Sequence, residues 1–360
     1  MKKYIFILGR DPELSLLEII SYLKARFVEH SLIEYNKQFA IFEIEDIDFG
    51  KMIKDLGGTL KIADFFEEKQ LYLGKENKIR YAITSYDGNI DNIKEYVKEK
   101  LKLEGLKAIY VKPKKDETQI MPSKSVNVDL ELIIYKGKMA RVIAVYDPSE
   151  YKKRDEKRPN FDPLKVISIR LAKILINLSQ AKENSILLDP FCGIGTILQE
   201  ALLMNMNVIG IDNDEKSVMQ CKENLKWLGE KYKGKYQVYN GDARNLSKFV
   251  KHVNVVVTEP YLGPYLKKLL SFNEAKILAN ELENLYMQVF KELQKIVENK
   301  IVFVVPRFRT NEGEVSINFI KIIPFNFKIY KPYEKIDIPI PYYDEKDRVQ
   351  RFIYILERFK

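Results

Sequence analysis

Two cysteines, two histidines and one tryptophan in 360 residues set the first limits. Cys192, Cys221, His30 and His252 are too few and too scattered for a disulfide framework or a Cys/His zinc site, so no metal is expected. A reducing compartment, the cytoplasm, is the matching expectation. Long apolar runs are missing as well, and nothing approaches the ~20 uninterrupted apolar residues that a membrane-spanning helix needs. The opening Met1-Lys2-Lys3-Tyr4-Ile5-Phe6-Ile7-Leu8 starts like a signal peptide. Its apolar part is short, however, and Gly9-Arg10-Asp11 has no small-residue cleavage site, so a first β-strand is expected instead. Internal repeats and low-complexity tracts are absent. Charge is the one excess: 60 Lys and Arg against 51 Asp and Glu leave +9. That excess favours a polyanionic partner such as nucleic acid, although a lysine-rich proteome from an A/T-rich genome gives the same number.

What is present is 46% hydrophobic and 31% charged, over a length sufficient for two or three compact cores. Residues 1–70 alternate strand and helix: a strand over Tyr4–Leu8, then apolar Leu16, Leu17, Ile20, Leu23 and Phe27 spaced three and four apart. Strands at Leu32–Tyr35 and Phe39–Ile44 follow, which suggests a ferredoxin-like α+β unit. A second small unit, residues 71–147, carries strands at Ile79–Ser85, Ala108–Val111, Asn127–Tyr135 and Lys138–Val145 around a helix at Asn92–Leu103. Its basic stretches, Lys112-Pro113-Lys114-Lys115 and Ser123-Lys124-Ser125, suit phosphate contact or a solvated hairpin tip equally. Residues 148–164 are charged and aperiodic and read as a linker. From 165 to 360, strands and helices alternate, which predicts a parallel sheet covered on both faces. Phe325–Tyr330 and Val349–Glu357, with no helix between them, predict an antiparallel pair at one edge.

The chemistry gathers where the α/β strands end. The apolar run Ile186–Leu188 stops at Asp189, and Pro190-Phe191-Cys192-Gly193-Ile194-Gly195-Thr196 follows into a helical pattern. A strand, glycine turn and helix set backbone N–H groups beside the edge of a cofactor. Asp212 ends the next strand 23 residues later, where a carboxylate accepts both hydroxyls of a ribose. Asp242 follows the third strand in Gly241-Asp242-Ala243 and suits an adenine amine. Leu198 stands where a dinucleotide fingerprint has its third glycine, and no Gly-Lys-Ser/Thr follows, which excludes a P-loop. Cys192 reads as a small packing residue rather than a nucleophile.

The fourth strand runs into Thr258-Glu259-Pro260-Tyr261. With the glycine turn, Asp212 and Gly241-Asp242-Ala243, this chain resembles S-adenosylmethionine-dependent amino-methyltransferases. More sharply, it resembles the archaeal-type tRNA guanosine-N2 methyltransferases with an N-terminal THUMP domain. Leu8-Gly9-Arg10-Asp11-Pro12-Glu13-Leu14, Leu56-Gly57-Gly58-Thr59 and Arg158-Pro159 are similar to that family as well. The resemblance implies a Rossmann-like methyltransferase domain at 165–360, a THUMP domain at 71–147, S-adenosylmethionine as cofactor and tRNA as partner. It implies that Asp189, Phe191, Gly193, Gly195 and Thr196 border the methionine end, Asp212 and Asn213 the ribose, and Asp242 and Ala243 the adenine. Thr258, Glu259, Pro260 and Tyr261 would face the target base, and Lys112, Lys114, Lys115, Lys124 and Arg158 would contact RNA. One departure stands out: the family's Asp-Pro-Pro-Tyr is Thr258-Glu259-Pro260-Tyr261 here. An rRNA or DNA amino-methyltransferase, or an RNA-binding protein with a vestigial cofactor fold, are the rival readings.

Overall fold

The computed structural model of the protein describes residues 1–67, 70–88, 90–113, 119–161, 166–229 and 231–359. Two compact units divide the chain: Met1–Leu16 with Val28–Arg154, and Leu17–Phe27 with Asp155–Lys360. Among the described residues, no helix is long and apolar enough to cross a membrane.

The first part of the chain runs β1 (Lys2–Leu8), α1 (Pro12–Ala25), β2 (His30–Tyr35), β3 (Phe39–Ile44), α2 (Phe49–Asp55) and β4 (Thr59–Phe65). It continues through β5 (Lys78–Ser85), α3 (Asp91–Leu103), β6 (Lys107–Tyr110), α4 (Pro122–Ser125), β7 (Leu130–Tyr135), β8 (Lys138–Val145) and α5 (Pro148–Lys157). Its eight strands form one sheet in the order β2-β3-β1-β4-β8-β7-β5-β6. Strands from residues 1–70 and 71–147 therefore share a sheet, joined where β4 pairs antiparallel with β8. Inside it, Lys61 Nζ donates to Glu131 Oε1 at 2.5 Å and to the Ile120 carbonyl at 2.8 Å. Both side chains are 2% exposed, and the extra hydrogen bonds are what make such a buried pair tolerable. The charged stretch expected to be a linker contains α5, with Pro148 at its start and Tyr151 as its buried residue. Glu and Lys are good helix formers, and proline suits a first helical turn, so little apolar periodicity did not prevent a helix.

The rest runs α6 (Ile169–Leu178), β9 (Ile186–Asp189), α7 (Thr196–Leu203), β10 (Asn207–Asp212), α8 (Glu215–Trp227), β11 (Tyr236–Asn240) and β12 (Val253–Thr258). There follow α9 (Phe272–Ile296), β13 (Val297–Thr310), β14 (Gly313–Ser316), β15 (Phe327–Ile329), β16 (Ile340–Tyr342) and β17 (Val349–Arg358). The main sheet order is β11-β10-β9-β12-β13-β17-β15, with β14 on β13 and β16 on β17. β11 to β13 are parallel, while β17 is antiparallel to both β13 and β15, as the missing helix before it led one to expect. Strand order reverses between β9 and β12, and open α/β sheets bind ligands at the carboxyl ends beside such a switch point. α9 starts at a capping box, Ser271 with Glu274. Ala275, Ala279, Leu282, Tyr286, Phe290 and Leu293 give it the 3.6-residue apolar stripe that packs on the sheet.

Candidate active site

The glycine turn is stapled to its neighbour strand. The Cys192 N–H donates to the Ile211 carbonyl at 3.0 Å, and the Gly193 N–H to Asp212 Oδ2 at 2.8 Å. The Asp214 N–H holds the other Asp212 oxygen at 2.9 Å. Gly193 and Gly195 have φ of +48° and +87°, a region that L side chains avoid. Nothing lies within 4 Å of where a Cβ on Gly193 would sit, so the turn presents open backbone. At Gly195 the reason is internal as well, since a Cβ would fall 2.5 Å from Cys221 Sγ. Cys192 and Cys221 are buried and free, filling space beneath the turn. A hydrogen bond with Cys221 and then burial push the Cys192 thiol up, consistent with a packing role.

Asp189 closes β9 and is 2% exposed. Its Oδ1 accepts from Thr258 Oγ1 at 2.7 Å and from the Phe191 N–H at 3.1 Å. Burial pushes the carboxyl up to about 7, with the two hydrogen bonds opposing it and Asp212 and Glu259 adding to it. Thr258 is fully buried, and its hydroxyl is spent on Asp189. This corrects the expectation that Thr258 faces a target base, because the side chain is turned in against Asp189 and lines neither of the recesses at these strand ends.

Two recesses open along these strand ends. The larger, about 310 Å³, is lined by Phe191, Asn213, Asp242, Ala243, Tyr261 and Leu285, among others. A smaller one, about 50 Å³, brings Asp189, Gly193, Gly195, Thr196 and Glu259 together. Phe191 lines both. Tyr261 is 52% exposed, and Tyr286 Oη donates to its carbonyl at 2.7 Å, so the loop backbone is pinned while the ring is free to stack. Pro260 beside it is buried. Asp242 is engaged by its neighbour: Arg244 Nε lies 2.9 and 2.8 Å from its two oxygens. The Arg244 hydrogen bonds hold that carboxyl below the usual carboxylate range.

Lys112, after β6, and Lys124, in α4, are exposed. Lys114 and Lys115 lie outside the described residues. Arg158 requires a correction, being 5% exposed. Its guanidinium donates to Thr196 Oγ1 at 3.1 Å and lies 3.3 Å from Asp155. A guanidinium buried against the start of α7 does not reach a phosphate in solvent.

Sequence reasoning missed Arg351. It sits in β17, its Nε donates to Glu259 Oε1 at 2.5 Å, and no motif surrounds it. Leu285 and Tyr286 were legible only as part of the α9 apolar stripe, and Arg244 only as a cation two residues beyond Asp242.

The chain is similar to known proteins in sequence and shape. A family model described as the RMKL-like methyltransferase domain matches residues 157–313, and one described as DNA methylase matches residues 24–223, more than half of the chain. The tRNA (guanine(10)-N2)-dimethyltransferase of Methanothermobacter thermautotrophicus is 38% identical over 126 residues, which are 35% of this chain and 36% of that protein. Its namesake from Pyrococcus abyssi is 22% identical over 321 residues, 84% of this chain and 88% of that one. The chain thus aligns with about a third of the first relative's length and nearly nine tenths of the second's. The crystal structure of TrmN from Thermus thermophilus aligns with a TM-score of 0.53 at 16% identity, covering 99% of this chain and 100% of that one. The fold is that of an α/β methyltransferase.

Proposed function

The chain belongs to the N6/N4 methyltransferase family described as DNA methylase, and from that premise we propose that it is an S-adenosylmethionine-dependent tRNA methyltransferase acting on N2 of a guanosine. Position 10, printed in the names of its relatives, is the site to test first. One observation carries this reading: Asp189, Asp212, Glu259 and Tyr261 line or flank adjoining recesses at the switch point of the sheet.

The residues suit this cofactor chemically. A glycine turn with open space at Gly193 leaves backbone accessible, and carboxylates at Asp189 and Asp212 suit a ligand that carries cationic groups and sugar hydroxyls. S-adenosylmethionine supplies a methyl group already activated on a sulfonium, so no covalent nucleophile is required of the protein. Asp212, braced by two backbone N–H groups, would take the ribose hydroxyls. Ala243 and Leu285 would pack against the adenine, and Phe191, which lines both recesses, would reach from there to the methionine end. Tyr261 would stack on a guanine turned out of its helix, a contact worth ~1–3 kcal/mol. Glu259 would accept from the exocyclic N–H, drawing the amine toward a pyramidal, more nucleophilic shape. Alignment and exclusion of water then supply the rate. Exposed Lys112 and Lys124 would contribute phosphate contacts from the first unit, and the stretch that the resemblance reads as THUMP would capture folded tRNA by shape.

The test is incubation with an unmodified tRNA transcript and methyl-labelled cofactor, followed by mass spectrometry of the nucleosides. N2-methylguanosine is expected. A ring-nitrogen or carbon methyl would refute the target atom while leaving the fold intact. The DNA-methylase description of the matching family motivates the second reading, methylation of a DNA amine. Duplex DNA that competes with tRNA and becomes labelled would favour it.

A further inference from the structure

Thr258 is fully buried against Asp189, so Glu259 is the side-chain acceptor at the end of β12 that lines the recess. A glutamate in that place raises a physical difficulty. It has one more rotatable bond than an aspartate, and on a loop it would spread over several rotamers, which costs entropy each time an amine has to be gripped. β17 removes that freedom. Its Arg351 lies opposite Pro306 of β13 and Tyr342 of β16, held on both sides by strand pairing. From there Nε reaches Glu259 Oε1 at 2.5 Å. Glu259 is only 16% exposed in its side chain and Arg351 33%, so the pair sits at the rim of the recess rather than in free solvent. Among the described residues Oε2 of Glu259 has no hydrogen-bond donor. The Asp347 carboxylate also favours the guanidinium's staying in this corner. A permanently charged, planar donor that holds one oxygen leaves the other pointing in a fixed direction.

We propose that Arg351 is a positioning residue for methyl transfer: by holding Oε1 of Glu259 it presents Oε2 to the exocyclic amine of the target base. This rests on the reading of Glu259 given above. The pair would replace the shorter acceptor that the related motif places at the strand end, using a strand far from every cofactor motif in sequence.

The experiment uses the full chain with a tRNA transcript and labelled cofactor, comparing wild type with Arg351→Met, Arg351→Lys, Glu259→Gln and the double variant Arg351→Met/Glu259→Gln. Arg351→Met is expected to lower kcat by about 100-fold, the scale of a misplaced reacting group. Its KM for tRNA and Kd for cofactor should stay within about twofold of wild type, which also certifies folding. Arg351→Lys should recover part of the loss, since one donor suffices. The double variant should be no slower than Glu259→Gln alone, because both changes remove the same interaction. Wild-type kcat in Arg351→Met would overturn the proposal. So would losses that add in the double variant, or a loss confined to KM that Arg351→Lys leaves uncorrected. A wild-type protein that methylates no tRNA fails the functional reading itself, and this proposal with it. An active wild type indifferent to Arg351 fails the proposal alone.

Discussion

Asp189 is a buried carboxyl at the end of β9. Its carboxyl is raised from 3.8 to about 7, chiefly by burial. A raised acid binds its proton more tightly folded than unfolded, so its contribution is favourable below pH 3.8 and is lost as pH rises toward 7. Asp189→Asn keeps an oxygen for Thr258 and the Phe191 N–H while removing the buried charge. The ligand-free variant should be more stable than wild type at pH 8 by on the order of 2 kcal/mol, with the gap closing toward pH 4, as read by denaturant unfolding. Cofactor affinity of the wild type should strengthen between pH 6 and pH 8, since a cationic ligand prefers the ionised form. Calorimetric titration at both pH values checks this, and a flat profile would remove Asp189 from the cofactor contacts. Tyr261 makes a separate prediction. Replacing it by alanine should lower kcat/KM for tRNA by roughly 10-fold or more, phenylalanine should retain activity, and cofactor affinity should not move.

At the scale of elements, the turn between β9 and α7 works because two glycines adopt left-handed conformations that other residues rarely take. Gly195 combines φ of +87° with a contact that leaves no room for a methyl group beside Cys221. Gly195→Ala should cost about 2 kcal/mol of stability and weaken cofactor binding. Adding Cys221→Ala should return only part of the stability, because it relieves the clash and not the backbone strain. Complete rescue in thermal melts would mean that packing alone had selected the glycine. The β9–turn–α7 element was legible in the sequence, since an apolar run, a carboxylate and two glycines are all local signals. β17 was legible as one strand of an antiparallel edge pair, but its register was not. Which of its side chains turns toward Glu259 depends on its antiparallel register with β13, and no local pattern records that register.

At the scale of the whole molecule, the boundary suggested by sequence near residue 165 leaves out residues that group with the second unit. Leu17–Phe27, the later part of α1 and the residues after it, groups with Asp155–Lys360. Asn177 Nδ2 donates to Glu18 Oε1 at 2.8 Å, and Asn177 is 1% exposed. Lys24 Nζ donates to the Pro332 carbonyl at 2.9 Å. A fragment that starts at residue 155 would uncover the surface under α1 and leave Asn177 without that partner. It should aggregate or melt well below the full chain in scanning calorimetry. A fragment as stable as the full protein would show that α1 is dispensable.

Composition, periodicity and the strand-end carboxylates were enough to define an α/β sheet, its alternation of helices and strands, and the glycine turn between β9 and α7, because each of these is encoded within a dozen neighbouring residues. The roles that the family resemblance implied for Thr258 and Arg158 do not fit their places in the fold. Whether a side chain faces a cavity or a buried partner is decided by residues brought close only by folding, here Asp189 for Thr258 and Thr196 for Arg158. Tertiary structure alone also joined strands of residues 1–147 into one sheet, grouped the later part of α1 with the second unit, and set Arg351 against Glu259 across 92 residues of chain. Sequence spacing carries the local chemistry, and distance in space selects which of those groups remain available for it.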